Sequence, residues 1–193
     1  NFFFSLFHYP TFLTPTTNFL SSFIPVQILI VIIWAGLEEL FKFIAAYWTG
    51  LKQKEDDEPV DQMIYLLTVA LGFAALENVL FILNDLYYGN FISSFMVGNM
   101  RFIGSTLLHI ISSASIGVAL GLSFYKSKTS KFIHLIVGLI VATTLHTSFN
   151  LLIMNSENST AVTFSIFYFV WLSIIILLLC FEKVKNVLGV NQA

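Results

Sequence analysis

Charge is scarce in this chain. Charged residues make up 10% of its 193 residues, whereas about 25% is usual in a soluble globular domain. Hydrophobic residues make up 57%, phenylalanine alone occurs 21 times, and the mean hydropathy is +0.85. This composition excludes a disordered chain, a fibrous protein and a nucleic-acid-binding protein. Because the apolar residues form runs that are too long for a soluble core, the sequence predicts a polytopic membrane protein.

Cysteine is nearly absent from the chain, and several common catalytic motifs do not occur in it. Cys180 is the single cysteine, which excludes an intrachain disulfide framework and a cysteine-rich metal site. The chain has no His-Glu-x-x-His motif of zinc proteases and no Gly-x-Ser-x-Gly elbow of serine hydrolases. No aspartate lies deep in an apolar run, so an aspartyl dyad inside the membrane is excluded as well.

Five apolar runs reach the length of about 20 residues that a bilayer-spanning helix needs. They lie at about 22–50, 63–83, 102–125, 132–154 and 161–181. We therefore expect an all-α bundle of about five transmembrane helices at 22–181. An interfacial or re-entrant segment at 1–21 precedes this bundle, and a cytoplasmic tail at 182–193 follows it.

The distribution of lysine predicts the orientation in the membrane. Lysines occur in the loops 51–62 and 126–131 and in the tail. The connections 84–101 and 155–160 together contain one basic residue, Arg101. Basic residues mark the cytoplasmic side of membrane proteins. The chain is thus predicted to be an integral, multi-pass membrane protein with a cytoplasmic C-terminus.

Six ionisable side chains lie well inside the predicted spans. Each of them costs a few kcal/mol of free energy in a bilayer, so their presence indicates pairing, transport or chemistry. They are Glu38, Glu39, Lys42, Glu77, His109 and His146.

The positions of these residues predict that they converge. His109 on the third span and His146 on the fourth lie about 7 and 8 residues from the outer ends of their spans. At 1.5 Å per residue this is a depth of roughly 10–12 Å in the hydrocarbon layer. Glu77 has a similar depth. His109 and His146 each lie on a stripe of small or polar residues that recurs every four positions and faces other helices. The stripes comprise Ser105, Ser113, Gly117 and Gly121 on the third span, and Gly138, Ala142 and Asn150 on the fourth.

Carboxylates and histidines in one layer are compatible with several functions. They can activate a water molecule by general base catalysis, or hold a metal ion that does so. The same residue types form proton relays in transporters, although this chain has no internal repeat of the kind that many transporters show. They can also stabilise the assembly of a non-catalytic membrane scaffold.

Four short motifs occur in order on successive spans. They are Glu-Glu-x-x-Lys at 38–42, Phe-x-x-x-Glu-Asn at 73–78, an isolated histidine at 109, and His-x-x-x-Asn at 146–150. This ordered set resembles the PrsW family of intramembrane proteases, relatives of the CAAX-prenyl proteases. The resemblance covers about residues 36–150.

The resemblance implies an intramembrane endopeptidase that hydrolyses peptide bonds of membrane-anchored protein substrates, often in signalling. Its expected partners are these substrates and the lipid bilayer, and not nucleic acid. Glu38 would be the general base, with Glu39 and Glu77 beside it, while His109 and His146 would position water or stabilise the oxyanion. Supporting roles would fall to Lys42, Asn78 and Asn150.

Metal dependence is left with two alternatives. We expect a glutamate-dependent hydrolase without a cofactor, because the cation of Lys42 opposes the binding of a second cation nearby. Asn78 and Asn150 also suit the positioning of water and an oxyanion. The alternative is a zinc ion, since imidazole and carboxylate groups are both zinc ligands. In that case the ligands would be Glu77, His109 and His146.

Overall fold

The structure is a computed structural model that describes residues 26–87, 91–154 and 160–187, without the side chains of 85, 91–103, 154, 160, 162 and 163. The predicted N-terminal segment at 1–21 and the end of the predicted tail, 188–193, lie outside the described residues.

Five α-helices follow one another in the residues that the structure describes. They are α1 (Val26–Ala46), α2 (Asp61–Tyr87), α3 (Phe91–Leu122), α4 (Lys128–Met154) and α5 (Thr160–Lys185). A π-helical turn, Tyr47–Leu51, directly continues α1. The described ranges contain no β-strand, and the predicted all-α bundle is confirmed.

Four of these helices, α2 to α5, are long and apolar enough to cross a membrane within the part of the chain that the structure describes. The remaining helix, α1, has 21 residues and is also apolar, but it carries three charged side chains, Glu38, Glu39 and Lys42. All three are buried against the other helices. The charged side chains of α1 therefore point into the bundle and not toward its outer surface.

Helices α2 to α5 each extend beyond the spans that hydropathy predicts, α3 by the largest amount. α3 begins at Phe91 and not near residue 102, and α5 continues to Lys185. Hydropathy marks the part of a helix that suits lipid, and not the residue at which the helix ends. Ser93, Ser94 and Asn99 lower the hydropathy of 91–101, but this stretch has no proline that would end a helix.

The central helix of the bundle is α3, which contacts each of the other four helices. By contrast, α5 exposes most of its large apolar side chains; Phe164, Tyr168 and Leu179 each keep more than two thirds of their surface accessible. A continuous apolar surface of this kind suits contact with lipid.

Two glycines of α3 bring three chain segments together at one end of the bundle. A Cβ atom at Gly117 would lie 2.7 Å from Cα of Met63. A Cβ atom at Gly121 would lie 2.6 Å from the carbonyl oxygen of Pro59 and 2.7 Å from Cγ1 of Val184. The start of α2 and the C-terminal ends of α3 and α5 thus lie side by side. The lysines in the loops and tail at this end of the bundle predict that it faces the cytoplasm. This orientation stays a prediction.

Candidate active site

Helices α1 to α4 each contribute ionisable side chains to one buried group, which we call the polar cluster. The imidazole rings of its two histidines are in contact, with centroids 5.1 Å apart and an angle of 80° between the ring planes. The structure therefore brings together the six ionisable residues found inside the predicted spans. These residues are Glu38, Glu39, Lys42, Glu77, His109 and His146.

Glu39 accepts hydrogen bonds from four neighbouring side chains. Its Oε1 accepts from Nζ of Lys42 at 2.7 Å, from Oγ of Ser112 at 2.9 Å and from Nδ1 of His146 at 2.9 Å. Its Oε2 accepts from Oγ of Ser113 at 2.9 Å. Four donors thus converge on the carboxylate of Glu39, three at Oε1 and one at Oε2, and the ammonium of Lys42 makes it the anionic partner of an ion pair.

Helical spacing explains only part of this arrangement. Lys42 follows Glu39 by three positions on α1, a spacing at which helical side chains meet. Both side chains are fully buried, and a buried charge persists only when it is paired and hydrogen-bonded. The other donors come from α3 and α4, so the packing of three helices completes the surroundings of Glu39.

The adjacent residue, Glu38, has the opposite surroundings. Its Oε2 is buried and accepts no hydrogen bond from the residues that the structure describes. This atom lies 3.6 Å from Nε2 of His146, a distance too long for a hydrogen bond. Glu38 is thus a buried carboxylate with an unused acceptor.

The hydrogen bond between His146 and Glu39 decides what Glu38 faces. Nδ1 of His146 must donate to Glu39, because an ionised carboxylate only accepts. In the neutral imidazole the other nitrogen, Nε2, then carries a lone pair. Two acceptors therefore face each other, Oε2 of Glu38 and Nε2 of His146. A group that offers protons or positive charge to both, such as a water molecule or a metal ion, matches this pair chemically.

Lys42 connects Glu39 to the other side of the polar cluster. Its Nζ lies 2.8 Å from Nδ1 of His109. An ammonium group only donates, so Nδ1 accepts and Nε2 of His109 carries the ring proton. Nε2 lies 2.8 Å from Oε2 of Glu77 and donates to it. The ring of Phe73 packs on both groups, with its centroid 4.6 Å from Nζ of Lys42 and 5.3 Å from the His109 ring.

The two asparagines expected to support the site lie beside the polar cluster. Nδ2 of Asn78 donates to Oγ1 of Thr106 at 3.0 Å and so joins α2 to α3 next to Glu77. Asn150 lies one turn beyond His146 on α4 and is partly buried. The catalytic roles of both asparagines stay predictions.

Three members of the polar cluster fit a metal ion. Glu38, His109 and His146 are all buried, and one possible ligand atom of each lies within 4.8 Å of the others. Both histidines belong to the predicted zinc set, whereas the carboxylate of this triad is Glu38 and not Glu77. The unpaired Oε2 of Glu38 and the lone pair of His146 suit a cation. Nε2 of His109 would have to lose its proton before it could bind one.

The role of two adjacent serines of α3 is not predicted by the sequence pattern. Ser113 lies on the four-residue stripe of small and polar residues, and Ser112 lies beside that stripe. Both hydroxyls donate to Glu39. The signal that could have found them is a pair of serines one turn after a buried histidine, because a buried carboxylate requires donors.

The fold and the polar cluster define an integral membrane protein with ionisable residues buried between its helices. The model of one family, described as "PrsW family intramembrane metalloprotease", matches residues 2–179. The chain belongs to this family.

Two curated relatives are named "Protease PrsW". The one from Geobacillus kaustophilus is 35% identical over 94 residues, which cover 49% of this chain and 36% of the relative. The one from Oceanobacillus iheyensis is 25% identical over 139 residues, which cover 72% of this chain and 60% of the relative. The chain thus spans 36% to 60% of the length of these relatives. No solved structure matches the chain.

Proposed function

We propose that this protein is an intramembrane protease that hydrolyses peptide bonds of membrane-anchored protein substrates in signalling. The observation that carries the proposal is the pair of facing acceptors, Oε2 of Glu38 and Nε2 of His146, 3.6 Å apart. An unpaired buried acceptor destabilises a fold, whereas a site that activates water needs acceptors aimed at that water. Membership of the family and the names of the two relatives support the same activity.

Glu38 is the general base in this proposal. A water molecule that donates one hydrogen to Glu38 and the other to His146 directs its oxygen at the carbonyl carbon of the substrate. As the oxygen attacks, its proton passes to Glu38, which then delivers a proton to the leaving amine. A positioned general base contributes typically about 10²–10⁴-fold to a rate.

The remaining members of the polar cluster hold and complement this pair. Glu39 fixes His146 through Nδ1, and Lys42 keeps Glu39 paired. We assign stabilisation of the oxyanion to His109, since one of its ring nitrogens lies within 4.8 Å of both Glu38 and His146; its single N–H, on Nε2, would turn from Glu77 to the oxyanion as that charge forms. Glu77 accepts the hydrogen bond from Nε2 of His109 and orients that ring.

A metal-dependent form of the same reaction is the second candidate. It is supported by the fit of Glu38, His109 and His146 to a cation and by the description of the family as metalloproteases. A zinc ion held by these residues would polarise a carbonyl group and activate a bound water. Glu77, which lies 2.8 Å from His109, would then be the carboxylate left for proton transfer.

Cleavage of single-pass membrane proteins by the purified protein in lipid vesicles tests the proposal. The Glu38→Gln variant keeps the side-chain volume, and we expect its kcat to fall by about 10²–10⁴-fold. Glu182→Gln is the matched control, because Glu182 is exposed at the end of α5 and pairs only with Lys185 at 3.1 Å among the described charged groups. The control should cleave at the rate of the unmodified protein.

Two further measurements separate the candidates. Activity that survives chelation but is lost in Glu38→Gln supports the metal-free form. Near-stoichiometric zinc, with activity lost on chelation and restored by zinc, supports the metal-dependent form. Cleavage by Glu38→Gln at an unchanged rate contradicts both.

A further inference from the structure

Two consecutive serines of α3 donate to opposite oxygens of one carboxylate. Oγ of Ser112 lies 2.9 Å from Oε1 of Glu39, and Oγ of Ser113 lies 2.9 Å from Oε2. Consecutive helical residues point about 100° apart, so a carboxylate that accepts from both hydroxyls must lie between the two side chains. Neither serine side chain has any solvent-accessible surface.

Serines inside helices commonly donate to a carbonyl of their own helix, and other serines of this chain do so. Oγ of Ser115 donates to the carbonyl of Ser112 at 2.6 Å, and Oγ of Ser173 donates to that of Phe169 at 2.8 Å. Ser113 instead donates to Glu39, and Ser112 makes only a longer contact of 3.3 Å to the His109 carbonyl. The hydroxyls of this pair are therefore directed at Glu39.

The consequence reaches Glu38 through His146. With Ser112 and Ser113 donating, Glu39 stays an acceptor and takes the Nδ1 proton of His146 as a further hydrogen bond. That bond places the lone pair of His146 on Nε2, which faces Glu38. Without the two hydroxyls, the carboxylate of Glu39 is free to rotate and can carry Oε1 away from Nδ1, so Nδ1 of His146 loses the fixed acceptor that selects its proton.

We propose that Ser112 and Ser113 are positioning residues that fix His146 as its Nδ1-protonated tautomer and thereby orient the hydrolytic water. This inference rests on the proposed function for its effect on catalysis, but the tautomer itself is measurable without any activity.

The first test is ¹⁵N NMR of the purified protein labelled at histidine. An unprotonated ring nitrogen resonates well apart from a protonated one, and the signals of His146 are those lost in a His146→Gln variant. We expect Nδ1–H and unprotonated Nε2 in the unmodified protein. In the Ser112→Ala/Ser113→Ala variant we expect a mixture of the two tautomers. The Ser115→Ala control should leave the signals unchanged.

A single Nδ1-protonated tautomer that persists in the double variant would overturn the proposal. If the double variant does not fold, Ser113→Ala alone carries the same test, because Ser113 is the donor to Oε2. The second test is the cleavage assay, in which we expect kcat of Ser113→Ala to fall about 10-fold, as for the loss of one hydrogen bond to a charged group. KM should be unchanged.

The two tests distinguish the proposals from each other. A changed tautomer with no cleavage by any form of the protein supports the positioning role and contradicts the proposed function. Cleavage that depends on Glu38, together with an unchanged tautomer in the serine variants, supports the proposed function and contradicts the positioning role. A rise in KM at constant kcat would assign the serines to substrate binding and also contradict the positioning role.

Discussion

The two halves of the stretch 109–121, in the C-terminal part of α3, are held in the bundle by different forces. Towards its N-terminus, His109, Ser112 and Ser113 make hydrogen bonds to α1 and α2. Towards its C-terminus, Gly117 and Gly121 let the backbone of α3 contact the start of α2 and the end of α5 directly. His109, Ser113, Gly117 and Gly121 all belong to the same four-residue stripe, so one helix face first carries chemistry and then close packing.

This difference has an energetic consequence. The polar half depends on specific partners, because a buried charge that loses its partner is costly. The glycine half depends on volume, because an added methyl group meets backbone atoms that cannot move aside easily. Substitutions in the two halves should therefore differ in size and in the way they combine.

The largest expected effect follows from breaking the buried ion pair. Glu39→Gln leaves the ammonium of Lys42 without its anionic partner, and we expect the free energy of unfolding to fall by about 3–5 kcal/mol. Glu38→Gln is the matched variant at the adjacent position. It should change stability by less than about 1 kcal/mol, because Oε2 of Glu38 accepts no hydrogen bond from a described residue. Denaturant titration in detergent measures both values.

A double variant sharpens this prediction. Glu39→Gln combined with Lys42→Met removes both charges, and we expect it to be more stable than Glu39→Gln alone, since no buried charge is left unpaired.

The two single variants have their own contradicting outcome. Equal losses of stability in Glu38→Gln and Glu39→Gln would show that the two glutamates do not differ in the way that their surroundings indicate.

The next effect in size concerns the glycine half. In Gly117→Ala the new Cβ would lie 2.7 Å from Cα of Met63, so α2 and α3 must separate. We expect a loss of about 1–3 kcal/mol, as for other overpacked sites. Gly72→Ala is the control, because its Cβ would meet no atom within 4 Å. It should be neutral or gain up to about 1 kcal/mol from helix propensity. Similar stabilities of the two variants would argue against close packing at this crossing.

The smallest effect concerns Asp56 in the loop that precedes α2. This loop packs against Gly121 through the carbonyl oxygen of Pro59. Burial raises the pKa of Asp56 from 3.8 to about 6; the nearby carboxylates of Asp61 and Asp57 act in the same direction, while Gln62 and Lys131 oppose it. The folded protein therefore binds this proton more tightly than the unfolded chain does. Its contribution to stability is greatest below pH 3.8 and is lost as the pH rises to about 6.

We expect this loss to be about 1 kcal/mol or less, because Asp56 is partly exposed and solvent screens its charge. Asp56→Asn keeps an acceptor for Gln62 and cannot ionise, so the stability difference between the unmodified protein and this variant should change between pH 4 and pH 6 and stay constant above it. A difference that is independent of pH would show that Asp56 does not titrate in this range.

Much of the bundle could be predicted from local sequence. The lengths of the apolar runs predict the five helices, since a span needs a minimum number of apolar residues. The start of α3 at Phe91 could not be predicted in this way, because its first turns contain Ser93, Ser94 and Asn99 and are not uniformly apolar. Helix ends depend on capping and on neighbouring segments, to which hydropathy is insensitive.

The members of the polar cluster could also be predicted, but not the division of roles among them. Six ionisable residues inside apolar spans stand out because each is costly in lipid. Ser112 carries no such signal, since a serine is tolerated in many helical positions. Its role depends on a carboxylate 73 positions away in the sequence, on α1.

The sequence by itself determines that this is a helical membrane protein and that its spans contain a set of glutamates and histidines. The spans follow from the length of the apolar runs, and the ionisable residues stand out because each is costly in lipid wherever it lies. Glu38 and Glu39 are chemically identical neighbours, and only the tertiary structure surrounds Glu39 with four donors while Oε2 of Glu38 meets none among the described residues. The donors that distinguish them come from α3 and α4, up to 107 residues away, and their arrival depends on how the helices pack.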